Sequence, residues 1–280
     1  MPRALEHGSC RLAYDVEGSG PPVVLIQGVG IHGAGWTPQV AGLRERFQCL
    51  TFDNRGMGQS QPQGLPITVE QMAEDTACLM DHVGWESAHV IAHSLGGLVA
   101  LHLALTRRPR VRSLSLLCTF ARGRDATRLS GRMLWLGLRS RIGSSRMRRR
   151  AFLQMVMAPD ALAGADLEGM ASGLAPLFGH DLADQPPVAM KQLAALRAYD
   201  ATSRLSEIVD VPALVVSAKH DPIARPRSGR ALARGIQGAR YVEFSEASHG
   251  LPIQLSQQVN SLLLEHLFRA TDRADASRPR

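Results

Sequence analysis

Residues 88–100 constrain the fold of this chain more than any other stretch. Ala88, Val90, Ile91 and Ala92 read as a buried strand, Ser94 follows at once, and Leu95, Gly96, Gly97, Leu98 and Val99 open a helix. A chain that passes from strand to helix at a single residue must bend sharply there, so small residues are needed two positions to either side. Ala92 and Gly96 supply them, although Ala92 stands where glycine is commoner in the pattern Gly-x-Ser-x-Gly. Such an elbow presents the serine at the carboxyl edge of a sheet, near a helix N-terminus whose dipole favours developing negative charge. A plainer reading is a serine N-cap whose glycines only allow close packing.

A serine hydroxyl is a weak nucleophile and needs a base, and the base needs a group that fixes its tautomer. Two later strands end in suitable residues. The run 213–217 leads into Lys219, His220, Asp221 and Pro222, and the run 240–244 leads into Ser248, His249 and Gly250. Asp221 alone is a good turn former and His249 alone is an ordinary loop histidine. Together, in the order serine, acid, histidine and each after a buried strand, they read as a catalytic triad of Ser94, Asp221 and His249. Asp125 is the second candidate for the acid. Oxyanion donors are expected at the backbone N–H of Leu95 and at that of Val29, in the loop after the strand 22–27. The same loop carries Gly28-x-Gly30-x-x-Gly33, which mimics a dinucleotide fingerprint, a reading set aside because the triad already explains the loop.

Strand-like runs at 9–16, 22–27, 48–52, 88–92, 114–118, 213–217 and 240–244 alternate with helical periods at 68–83, 94–105 and 252–268. This alternation predicts an α/β architecture, a sheet covered by helices on both faces. The rhythm breaks between 120 and 205, where Met- and Leu-rich helical stretches show no strand, so a helical insertion is expected there. Residues 1–119 and 206–270 then form one core domain, 120–205 a cap, and 271–280 a polar, flexible tail.

The set Gln27 to Gly30, Asp53 to Ser60, His93 to Gly97, His220-Asp221 and Ser248 to Gly250 resembles the α/β-hydrolase superfamily. Within it, the chain is similar to the group of serine esterases, enol-lactonases, carbon–carbon bond hydrolases and cofactor-free haloperoxidases. The resemblance implies an eight-stranded, mostly parallel sheet with a helical cap between the sixth and seventh strands. It also implies a structural turn network for Asp53 and for Arg55 to Ser60. Gln27 departs from the pattern, since histidine commonly precedes the oxyanion glycine. A serine at position 94 argues against the epoxide-hydrolase and haloalkane-dehalogenase branches, which use aspartate.

The expected function is therefore cleavage of a carboxylic ester, lactone or related acyl substrate through an acyl-enzyme. The alternatives are acyl transfer, perhydrolysis or carbon–carbon hydrolysis by the same triad, and a ligand-binding protein that has lost the chemistry. Trp135 and Met155, with Met133, Met157 and Leu174, are expected to line an apolar substrate pocket under the cap. His93 is expected to hydrogen-bond within the elbow. His7, His82, His102, His180 and His266 show no ligand spacing, so no metal and no cofactor are expected.

Charge is unevenly placed. Fourteen arginines against one acid, Asp125, give residues 107–150 a net charge of +13, and the other 236 residues must then carry −6 to reach the chain's +7. Interleaved Leu129, Met133, Leu134, Trp135, Leu138 and Ile142 make the segment amphipathic. The favoured reading is a solvated outer face of cap helices whose apolar side covers the pocket. Attraction of an anionic substrate comes next, and contact with an anionic membrane surface after that. Nucleic acid is not expected, because no aromatic stacking platform accompanies the arginines. The start lacks the apolar core of a secretory signal, and Cys10, Cys49, Cys78 and Cys118 show no Cys-x-x-Cys pair, so free thiols in the cytoplasm are expected.

Overall fold

A computed structural model describes residues 3–61, 67–126 and 130–276, with side chains left out for 273–276. Eight strands form one sheet: β1 (Arg3–His7), β2 (Cys10–Glu17), β3 (Pro22–Ile26), β4 (Gln48–Phe52), β5 (Ala88–His93), β6 (Val111–Leu117), β7 (Ala213–Ala218) and β8 (Arg240–Phe244). Their order across the sheet is β1-β2-β4-β3-β5-β6-β7-β8. Only β2 runs against the others, paired antiparallel to β1 and β4. The segment expected at 9–16 is thus the second arm of a hairpin. Its partner β1 lies at the sheet edge with no residue fully buried, so its apolar signal is weak.

The central strands are continuous apolar runs, as burial on both faces requires; β5 and β7 are buried at every position. The core helices are α1 (Thr37–Leu43), α2 (Val69–His82) and α3 (Leu95–Thr106), and after the insertion come α9 (Pro226–Gly235), α10 (Leu251–Gln254) and α11 (Ser256–Ala276). α1 packs with α11 on one face, α2 with α3 on the other, and α9 rests on β7 and β8. Thr68 caps α2 by accepting from the N–H of Gln71. The helix expected at 252–268 is broken at Leu255 and then runs to Ala276, so most of the expected tail is helical. Thr271 Oγ1 lies 3.2 Å from His89 Nε2, which ties that last stretch to the sheet. Residues 277–280 lie outside the described residues.

Between β6 and β7 come α4 (Gly131–Arg139), α5 (Ser145–Val156), α6 (Pro159–Leu162), α7 (Leu167–Phe178) and α8 (Val188–Ala198). Arg128 and Leu129, counted in the basic segment, lie outside the described residues. The insertion has two apolar clusters of its own, one around Leu153, Ala171, Phe178 and Leu182 and a smaller one of Met133, Leu136 and Ala151. Its last helix behaves differently: Val188, Ala195 and Leu196 of α8 belong to the main core. The boundaries at 120 and 205 therefore divide helices from strands more cleanly than they divide the packing. No described helix is long and apolar enough to cross a membrane.

Candidate active site

The elbow forms where the sequence places it. Ser94 has φ 54 and ψ −117, between β5 and α3, a backbone region that costs on the order of 1–3 kcal/mol for a residue with a side chain. The surroundings hold it there. Its N–H donates to Leu117 O at 3.1 Å, and its carbonyl accepts from Thr119 Oγ1 at 2.6 Å and from Gly97 N–H at 3.0 Å. The glycines are required by close approach: a Cβ on Gly96 would sit 2.2 Å from Ile26 O, and one on Gly97 would sit 2.3 Å from Thr119 Oγ1. α3 thereby lies directly against β3 and the loop that follows it.

The three residues predicted as a triad come together. Ser94 Oγ is 3.0 Å from His249 Nε2, and His249 Nδ1 is 2.8 Å from Asp221 Oδ2. With Nδ1–H donating to the carboxylate, Nε2 is left as the acceptor for the serine hydroxyl. The other carboxylate oxygen, Asp221 Oδ1, accepts from the N–H groups of Ile223 and Ala224, each at 2.8 Å. All three side chains are buried, Ser94 and His249 being 5% and 7% exposed. Asp125 is elsewhere, paired with Arg122 at 3.0 Å.

The loops that carry the acid and the histidine are bound to each other. Lys219 N–H donates to Phe244 O, His220 N–H to Ala247 O at 3.0 Å, and Ser248 Oγ to His220 O at 3.1 Å. His93 does not bond within the elbow; its Nε2–H donates to His249 O at 2.9 Å, with the two rings 4.8 Å apart. Burial, with His249 as the next cause, lowers the pKa of His93 to about 3 and keeps it neutral. Cys118, buried beside Asp221, has its thiol pKa pushed well up by burial and by that carboxylate, so it stays protonated.

The loop after β3 abuts the serine: a Cβ on Gly28 would lie 3.0 Å from Ser94 Cβ. Gln27 Oε1 takes the N–H of Gly28 at 3.1 Å, Asn54 Nδ2 donates to Gln27 O at 3.0 Å, and Gln192 Oε1 from α8 takes the N–H of Gly30 at 2.9 Å. Gln27 thus braces the loop from within, in the place where histidine is commoner. Val29 lies between these two anchored residues, and Leu95 is the first residue of α3, where a helix N–H has no acceptor within the helix. Asp53 accepts from Gly33 N–H at 2.8 Å and Gln59 N–H at 2.9 Å, the turn network expected of it. Arg55 instead turns away into a buried ion pair with Asp75.

The two residues expected in a pocket lie in different places. Met155 packs in the inner cluster of the cap with Ile223, two residues from Asp221. Trp135 is a correction: it is 57% exposed on the outside of α4, with the Arg139 guanidinium over its ring. Met133 and Leu136 take the inward face of that helix, which leaves Trp135 pointing away from the serine. Gly250 N–H donates to Val156 O at 2.7 Å, so the cap rests on the residue after His249. Thr119, Gln192 and His180, which bonds Gly30 O at 2.9 Å, were not legible as parts of the site. Thr119 has one signal, its position just past the end of β6; the other two lie in cap segments whose docking no local pattern reveals. Among the described residues no group of His, Cys, Asp and Glu could hold a metal ion.

A serine, a histidine and a carboxylate at the carboxyl ends of β5, β8 and β7 place this fold in a definite class. The chain belongs to the alpha/beta hydrolase fold family, whose model matches residues 21–254. It is 30% identical over 268 residues to a Caulobacter segnis protein named "Putative carbamate hydrolase RutD", covering 91% of this chain and 96% of the relative. Among solved structures it resembles the enol-lactonase from Burkholderia xenovorans, with 28% identity, a TM-score of 0.79, and 95% of this chain and all of that one covered. It also resembles a thermophilic esterase from Thermogutta terrifontis, with 25% identity, a TM-score of 0.77, and 93% and 94% covered. These relatives support hydrolase activity.

Proposed function

We propose that the chain is a serine hydrolase that cleaves a carboxylic ester, lactone or related acyl substrate of modest size. The observation that carries this reading is the unbroken relay from Asp221 through His249 to Ser94, at 2.8 and 3.0 Å. Ser94 Oγ attacks the substrate carbonyl while His249 Nε2 takes its proton. The N–H groups of Leu95 and Val29 receive the oxyanion, and Asp221 stabilises the imidazolium. His249 then returns the proton to the leaving oxygen, which departs and leaves Ser94 acylated. Water, deprotonated by His249, attacks the acyl-enzyme and releases the acid with Ser94 restored.

The name of the Caulobacter segnis relative favours a second reading, in which the carbonyl attacked is that of a carbamate. The same relay serves it, forming a carbamoyl-serine in place of an ester. Acyl transfer, perhydrolysis and carbon–carbon hydrolysis would change the acceptor or the bond broken and keep the relay. A fluorophosphonate probe tests them all: Ser94 is expected to label in folded protein, and Ser94→Ala to remain unlabelled. Equal labelling of both would overturn the assignment. Turnover of p-nitrophenyl esters, lactones and an aryl carbamate, side by side, then separates the substrate classes.

A further inference from the structure

The outer surface of the cap is not the solvated polar face that its arginines suggest. α4 has two apolar sides. Met133 and Leu136 face inward, whereas Leu134, Trp135 and Leu138 lie on the opposite side, followed by Ile142 and Met147 in the turn to α5 and its first residues. These five side chains are between 41% and 60% exposed, and they make up five of the eight large exposed hydrophobics among the described residues. A sixth, Met190, sits beside them, its sulfur 2.9 Å from Arg141 Nη2. Scattered exposed apolar residues are ordinary, but this concentration on one helix and one turn is not.

The arginines of α4, α5 and the turn between them divide into two groups. Arg148 pairs with Asp184 and Arg149 with Glu168 and Asp181, so these two hold the cap together. Arg132, Arg139, Arg141, Arg146 and Arg150 form no ion pair with a described residue, and they border the apolar patch. On the helix, Arg132 and Arg139 lie beside Trp135, and the Arg139 guanidinium is 5.6 Å from that ring. An apolar face with an aromatic ring at its margin and cations along its rim suits a surface that offers hydrocarbon below and phosphate above.

We propose that this face of α4 and the following turn docks on an anionic phospholipid bilayer, lying in the plane of the interface. Leu134, Leu138 and Ile142 would enter the acyl boundary by roughly 5–10 Å, with Trp135 at headgroup level and the unpaired arginines on lipid phosphates. Charge complementarity selects anionic lipid over neutral lipid. The proposal does not depend on the chemistry at Ser94.

Trp36 and Trp85 are buried, so Trp135 is the exposed reporter among the three tryptophans. The full chain is mixed with vesicles of phosphatidylcholine, alone or with about a third phosphatidylglycerol, and followed by co-sedimentation and tryptophan emission. The expected result is sedimentation and a blue shift with the anionic vesicles, at least about tenfold stronger than with neutral ones and weakened by salt. The combined variant Leu134→Ser, Trp135→Ser, Leu138→Ser should lose binding by about tenfold or more with an unchanged melting temperature. Since each arginine near an anionic surface is worth roughly fivefold, Arg132→Glu with Arg139→Glu should abolish the preference for anionic vesicles. Three results would overturn the proposal: equal binding to both vesicle types, a triple variant that sediments like the unsubstituted chain, or a lipid-free, concentration-dependent blue shift without vesicle binding. The last would assign the face to a second copy of the chain.

Discussion

Gly96→Ala is the sharpest perturbation that the site offers. The new methyl would be 2.2 Å from Ile26 O, 2.8 Å from Ile26 C and 2.9 Å from Gln27 O. Ordinary contact requires α3 and the end of β3 to separate by about 1 Å, because van der Waals repulsion rises steeply below that distance. Both partners are backbone, so no side-chain rotation relieves the clash. Overpacking of this kind costs about 3 kcal/mol, the upper part of the usual range. The movement also separates the Leu95 N–H from the loop that carries the Val29 N–H, and a displacement of about 1 Å in catalytic geometry costs on the order of 100-fold in rate. Urea denaturation and turnover of a p-nitrophenyl ester measure the two effects. Gly173→Ala in α7 is the control: its methyl meets nothing within 4 Å, and in a helix it should stabilise by about 0.5–1 kcal/mol. A Gly96→Ala protein as stable as the unsubstituted chain would refute the packing argument. One that is destabilised yet turns over normally per folded molecule would refute the link from β3 to the proposed oxyanion loop.

Asp221→Asn should keep the fold, since the amide oxygen can still accept from Ile223 and Ala224, yet lower kcat about 10⁴-fold by favouring the wrong histidine tautomer; stopped assays on one ester measure it, and a loss below tenfold would count against Asp221 as the acid. Acid should destabilise the chain well before its carboxylates titrate. His89 and His93 have pKa values lowered to about 3 and His266 to about 4, all by burial first, so between about pH 6.5 and 4 the unfolded chain binds protons that the folded chain does not. Stability is then full above about pH 6.5 and falls with acidification by up to about 1.4 kcal/mol per pH unit for each histidine. Melting temperatures that stay level from about pH 7 to 4.5 would contradict this sign, and His89→Gln should flatten the slope.

The strands and the elbow were legible because their signals are local: buried parallel strands read as continuous apolar runs, and a serine between strand and helix needs small neighbours. His249 and Asp221 were legible through the same logic, each following a buried run. Trp135 shows where that logic stops. Apolar residues lie on two sides of α4, and periodicity states that a stripe exists without stating which stripe faces inward. Met133 and Leu136 won the interior because the inner cluster also receives Ala151 from α5, a pairing that no local pattern in 131–139 contains. Gln192 was hidden for a related reason: a lone glutamine 162 residues from Gly30 gives no hint that its amide will brace that loop. The arginines misled in one respect. Their number implied a polar outer face, and the structure interleaves them with exposed leucine and tryptophan.

The hydrogen bonds between the loops after β7 and β8 give the two ends of the predicted relay different supports. Asp221 and His249 are held to each other, because Lys219, His220 and Ser248 stitch one loop to the other. Ser94 is held instead by β5, the end of β6 and the start of α3. The two ends are joined by the β6–β7 ladder of the common sheet, and at the site itself by the 3.0 Å contact of His249 Nε2 with Ser94 Oγ and the bond from His93 to His249 O. Widening of the sheet between β6 and β7 would thus lengthen the contact of His249 with Ser94 before that of His249 with Asp221. His93, whose ring bonds His249 O from the end of β5, is a strut across that gap.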